Sequence, residues 1–124
     1  LESQNKDCLK HQEAYVKSLY YDVDTLSLTE RKETTKNQII GLHGEIDEFV
    51  QAIKLLPWKS GQDDIDENNV KEELIDVYHF FMNLCALWGI RSQEELTAIY
   101  LKKNAINKAR GKIHSKPTEG FKVN

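Results

Sequence analysis

The stretch LIDVYHFFMNLCALW, residues 74 to 88, holds one formal charge, Asp76. Its apolar residues recur at three- and four-residue steps, so it reads as a helix. Ile75, Tyr78, Phe81, Met82, Cys85 and Trp88 cannot all face one neighbour, and a helix apolar on most sides is a buried one. The chain therefore has to wrap this helix, with other helices or with a second subunit. Asp76 sharpens the constraint, because a lone carboxylate among apolar side chains is costly unless something pairs it.

The rest of the chain is consistent with helices alone. At 124 residues it makes one domain, 1–124, whose end from about 112 lacks periodicity and is expected to be loose. Residues 4 to 20 have Leu9, Val16, Leu19 and Tyr20 at helical spacing. DVDTLSLT (22–29) reads as a turn, and Ser27 or Thr29 then caps a long helix, with Glu30 three residues after Ser27. The stripe of that helix is Leu42, Ile46, Phe49, Ile53 and Leu56, and Pro57 ends it. WKSGQDDIDEN (58–68) is an acidic loop. Asn69 with Glu72 makes a capping box for the third helix, and Gly89 closes it. Ser92 with Glu95 opens a fourth helix that runs to about Arg110, before Gly111. No strand signal of any strength appears. The expected fold is all-α, an antiparallel bundle of about four helices that dimerises through apolar faces.

Composition removes several functions. A net charge of −3 argues against a general nucleic-acid binder. No apolar run approaches the length that spans a membrane. Two cysteines make no disulfide framework, and Cys85 within the apolar helix is expected to be a buried thiol of a reducing compartment, the cytoplasm.

Beside the third helix's stripe of Leu74, Val77, Phe81, Leu84 and Trp88 runs a second one: Glu73, Asp76, Phe80 and Asn83. Glu73 and Asp76 share a face, being three residues apart. Glu45 and Glu48 repeat that spacing on the second helix, bordering its apolar seam. Asp47 falls about 100° round the helix from Glu48 and about 160° from Glu45, and is expected in solvent. Antiparallel packing of the two helices would bring all four carboxylates together. Each pair at 4 Å repels by about 4 kcal/mol at an effective dielectric near 20. Either some stay protonated or a divalent cation joins them, and hard oxygen donors suit Mg²⁺ or Mn²⁺. Taken separately, the pairs also fit solvated helix faces, and Asp76 has His79 three residues on as another partner.

Between Lys102 and Lys116 lie six Lys or Arg and no acid. Tyr100, Lys103, Asn107 and Arg110 share one helix face, with Asn104 at its border. Two cations and two amides suit a row of phosphate oxygens. A carboxylate cluster with a phosphate-reading face points to a nucleoside polyphosphate, with a metal bridging phosphate oxygens and activating water.

These segments resemble the all-α nucleoside triphosphate pyrophosphohydrolases, and within them the dimeric dUTPases. The resemblance rests on GEIDE (44–48), Trp58-Lys59, EELIDVYHF (72–80) and YLKKNAINKAR (100–110). It implies Mg²⁺-dependent hydrolysis of dUTP to dUMP and pyrophosphate. It implies Glu45, Glu48, Glu73 and Asp76 as metal ligands, Glu48 as base, and Lys103, Asn107 and Arg110 on the phosphates. Asn83, Trp58, Gln12 and Asn104 would serve the base and sugar, and a homodimer or higher homo-oligomer is expected. The chain departs from the family in three places. Gly44 stands where MazG-type relatives have a further Glu, the chain is short, and the C-terminal Gly-Tyr ending becomes GlyPheLys (120–122). Two other readings remain: a MazG-like enzyme acting on another nucleotide such as dCTP, and a catalytically silent helical dimerisation module.

Overall fold

The computed structural model describes residues 7–55 and 64–111. Four α-helices account for most of them: α1 (Cys8–Leu19), α2 (Leu28–Ala52), α3 (Glu67–Leu87) and α4 (Gln93–Ala109). A 3₁₀ turn, Val23–Thr25, lies between α1 and α2. No strand occurs among the described residues, and no helix there is long and apolar enough to cross a membrane. The all-α bundle expected from periodicity is what forms.

Each helix start is set by a side-chain oxygen that takes an otherwise orphan N–H. Asp7 accepts from the Lys10 amide at α1. Ser27, not Thr29, caps α2 in a reciprocal box with Glu30, whose carboxylate is held below the usual range first by the Ser27 backbone amide. At α3 the expectation of an Asn69–Glu72 box is overturned. Asp66 is the cap and accepts from Asn68 and Asn69, so the helix starts three residues earlier. A carboxylate outdoes an amide there because it faces the positive end of the helix dipole. Ser92 caps α4 by accepting from the Glu95 amide, while its hydroxyl donates to the Glu95 carboxylate.

The ends follow glycine where left-handed backbone is required. Gly89 has φ +97° after α3, and the Ile90 amide donates back to Cys85 O at 2.8 Å. Gly111 has φ +65° after α4. α2 ends sooner than Pro57 would dictate, at Ala52, where Lys54 takes φ +56°. Leu56 and Pro57 lie outside the described residues.

The core is small. Leu9 of α1 packs on Met82 and Cys85 of α3, with Tyr78, Ile90 and Leu96 against them. Burying a leucine fully, as at Leu9, contributes about 1.5–3 kcal/mol. Of the residues at helical spacing in the first helix, Leu9 and Val16 are buried, whereas Leu19 and Tyr20 are exposed. On α3 the buried face is Met82, Asn83, Cys85, Ala86 and Leu87. Of the stripe expected there, Leu74, Phe81 and Trp88 remain 46%, 44% and 47% exposed within the single chain. On α2 no residue is fully buried, and Ile46 is exposed.

α2 and α3 run antiparallel in a fixed register. Arg31 lies over the Trp88 ring at 5.0 Å, and Trp88 Nε1 donates to Thr35 Oγ1 at 2.9 Å. One turn on, Asn83 bonds Gln38 at 2.9 Å. Next, Gly41 faces Phe80, whose ring occupies the space a Cβ at position 41 would need. Arg91, after α3, ties the other side. It donates to Glu13 of α1 through Nε and Nη2 and to Asp24 of the 3₁₀ turn at 2.6 Å.

Candidate active site

The α2–α3 register, carried one turn further, delivers the acidic residues to each other. Carboxylate oxygens of Glu45, Glu73 and Asp76 lie within 4.8 Å of one another, each residue half-buried. Glu48 sits outside that trio but close enough to act on it. The Glu73 carboxyl is pushed above its ordinary range first by loss of water around it, then by the charges of Asp76, Glu48, Glu45 and Glu72. The donor set is all hard oxygen, at a density that suits a divalent cation. Asp76 is not sealed in the chain, as its apolar neighbours suggest: its side chain is 47% exposed. Its immediate partner is His79 Nδ1 at 3.7 Å. Asp47 is exposed and accepts from Gln51 at 3.3 Å, away from the trio.

Between one and two turns of α3 beyond Asp76, about 5–10 Å along the axis, the same face lines a pocket of about 490 Å³. Tyr15, Tyr20, Tyr21 and Phe80 supply aromatic walls, and Gln12, Gln38 and Asn83 supply amides. Gln12 Nε2 donates to Asn83 Oδ1 at 3.0 Å, and Asn83 Nδ2 donates to Gln38 Oε1 at 2.9 Å. Asn83 is the buried polar residue of the core, 9% exposed, and both its amide atoms are satisfied. His79 and Phe80 line this pocket as well, so His79 touches both pocket and acidic cluster.

The structure thus brings together Glu45, Glu73 and Asp76 with Glu48 beside them, and Gln12 with Asn83. Lys103, Asn104 and Asn107 stand on α4 and Arg110 caps its C-terminus, outside both groups. Lys103, Asn107 and Arg110 already have partners, and α4 joins the core through Leu96 near its start. Trp58 lies outside the described residues. Gln38 and the tyrosines were not foreseen. Gln38 could have been found by running the Glu45–Glu48 face backwards: positions 38, 41, 45 and 48 share a face just as 73, 76, 80 and 83 do on α3. Tyr20 and Tyr21 carry no such signal, because they lie beyond the last residue of the helix.

A family model described as dUTPase matches residues 17–90, more than half of the chain. No curated protein and no solved structure matches. The matched span holds both acidic pairs, Gln38 and Asn83, and it sets aside the reading of a silent helical module. The chain belongs to the all-α dUTPase family, and its activity is that of a nucleoside triphosphate diphosphatase.

Proposed function

We propose that the protein hydrolyses dUTP to dUMP and pyrophosphate with Mg²⁺, at a site running from the aromatic–amide pocket to the acidic cluster. The observation that carries this reading is the trio Glu45, Glu73 and Asp76 within 4.8 Å, joined to the pocket through His79. These carboxylates repel one another without a cation; the Glu73 carboxyl is raised first by loss of water around it and then by the neighbouring charges. Glu45, Glu73 and Asp76, with Glu48, would hold the ion. Mg²⁺ there supplies charge neutralisation on phosphate oxygens and a more acidic water.

The residues have separable tasks. The ring of the nucleotide stacks among Tyr15, Tyr20 and Phe80, and its edge meets the amides of Gln12 and Gln38, held by Asn83. Trp58 and Asn104 serve the base and sugar end. Glu48, exposed at the edge of the cluster, takes a proton from water as the water oxygen bonds the α-phosphorus. The bond from that phosphorus to the bridging oxygen breaks, and pyrophosphate leaves with its charge. Lys103, Asn107 and Arg110 hold phosphates, as their shared basic face suits. A second copy of the chain covers Leu74, Ile75, Phe81 and Trp88, apolar side chains that the single chain leaves 44–54% exposed.

A panel of deoxynucleoside triphosphates, assayed for pyrophosphate with Mg²⁺ and with chelator, tests the function. Mg²⁺-dependent release from dUTP supports it, and no release from any nucleotide refutes it. Light scattering on the same preparation gives the subunit number.

A further inference from the structure

We infer that the amide chain Gln12–Asn83–Gln38 is reversible, so that one pocket reads pyrimidines with a 4-oxo and with a 4-amino group. This rests on the pocket being the base site of the function proposed above.

In the sense observed, Gln12 Nε2 donates to Asn83 Oδ1 and Asn83 Nδ2 donates to Gln38 Oε1. That leaves Gln12 Oε1, an acceptor, and Gln38 Nε2, a donor, without a hydrogen bond to any described residue. Both glutamines line the pocket. A ligand edge that offers a donor to Gln12 and an acceptor to Gln38 completes the chain. Uracil does so with N3–H and O4.

Each primary amide carries a carbonyl oxygen and an NH₂ group of nearly equal size. Its terminal torsion has two wells of similar energy about half a turn apart. If all three amides turn over together, the chain keeps both hydrogen bonds with every donor and acceptor exchanged. Gln12 then offers Nε2 and Gln38 offers Oε1. Cytosine matches that face, with N3 as acceptor and the 4-amino group as donor. Among the described residues no charged group hydrogen-bonds to any of the three amides, so none of those residues fixes the sense. A carboxylate or ammonium at either end would have locked it. Tyr15, Tyr20 and Phe80 hold a flat ring without regard to its edge.

A site with a fixed pattern rejects the wrong pyrimidine steeply, by more than about 100-fold, because buried polar groups are left facing like atoms. The reversible chain predicts a ratio of kcat/KM for dUTP over dCTP within about tenfold, and the same for the Kd of dUMP over dCMP. With side-chain amides ¹⁵N-labelled, the dUMP complex should show ligand contacts from the Gln38 NH₂ and the dCMP complex from the Gln12 NH₂. In Asn83→Asp both glutamines must donate to the carboxylate. Two acceptors then face the ligand, and both pyrimidines should weaken in parallel. Hydrolysis of dUTP with dCTP rejected more than about 100-fold would overturn the inference and leave the proposed function standing, as would dCMP binding with the amides unreversed. Hydrolysis of neither would remove both. The wild-type measurements suffice should Asn83→Asp not fold.

Discussion

His79 Nδ1 stands 3.7 Å from Asp76 Oδ1, and the same imidazole forms part of the aromatic pocket wall. One side chain therefore links the place that suits a ring to the place that suits a cation. An imidazole beside a carboxylate that would ligate a metal limits where that carboxylate can point, and partners of that kind matter about 10–100-fold in affinity or activity. His79→Ala should weaken Mg²⁺ activation by about that factor and raise the KM for nucleotide. Because His79 is 45% exposed, thermal stability should change by no more than about 0.5 kcal/mol. Steady-state kinetics across a Mg²⁺ series, alongside a melting curve, checks both statements.

Glu73 makes the metal-free protein sensitive to pH. Its carboxyl is raised above the ordinary value by loss of water and then by Asp76, Glu48, Glu45 and Glu72. The folded state therefore binds this proton more tightly than the unfolded chain does. Between the unfolded and the raised folded value, stability falls as pH rises, and above both the loss is complete. Glu73→Gln should flatten that slope and raise the melting temperature at neutral pH without metal. Mg²⁺ at about 100 times its Kd should add about 2.7 kcal/mol to the wild type and much less to the variant. Melting in chelator and in Mg²⁺ across the carboxylate range reads all of this.

Gly41 is where α2 lets Phe80 in, and a methyl group there would overlap the Phe80 ring. Gly41→Ala must push Phe80, a pocket wall, or spread α2 from α3. Overpacking of this kind costs about 1–3 kcal/mol. Denaturant midpoints should fall accordingly, and the KM for nucleotide should rise more than kcat falls. Gly44, one turn on, has open space around it, so Gly44→Ala serves as a control and should be stable.

Arg91 joins α1, the 3₁₀ turn and the α3–α4 connection through Glu13 and Asp24. That turn follows Tyr20 and Tyr21, so the clamp also steadies one lip of the pocket. Arg91→Ala leaves the part-buried Glu13 without its partner and should cost about 1–3 kcal/mol at pH 7. The Asp24 carboxyl is held below the usual range, first by its hydrogen bond from Arg91. Its stabilisation is present above the unfolded aspartate value and disappears as pH falls through the lower folded one. The gap between wild type and Arg91→Ala in chemical denaturation should narrow at acid pH.

Much of the fold could be read from spacing. The acidic faces of the second and third helices, Gly89 and Gly111 as stops, and Ser27 and Ser92 as starts are local matters of period and capping. The errors arose where two local signals competed or where burial is not local. Asp66 captured the start of α3 from Asn69, and α2 stopped at Ala52 before Pro57 could act. The stripe of Leu74, Phe81 and Trp88 has the right period for a core, yet the single chain buries the neighbouring face. Periodicity shows that a face is apolar, not which partner covers it. Asn83 could be marked as a polar interruption on an apolar helix. Its partner Gln38 comes from a helix 45 positions away in sequence, which only the α2–α3 register reveals.

The most direct measurement is pyrophosphate release from dUTP by the wild type and by Asp76→Asn, with Mg²⁺ titrated against each. Asp76 is half-exposed, so the variant should fold with an unchanged helical spectrum. The account predicts Mg²⁺-dependent release by the wild type, with a loss of at least about 100-fold and weakened Mg²⁺ dependence in the variant. Equal turnover by the two proteins, or wild-type turnover indifferent to Mg²⁺ and chelator, would contradict it.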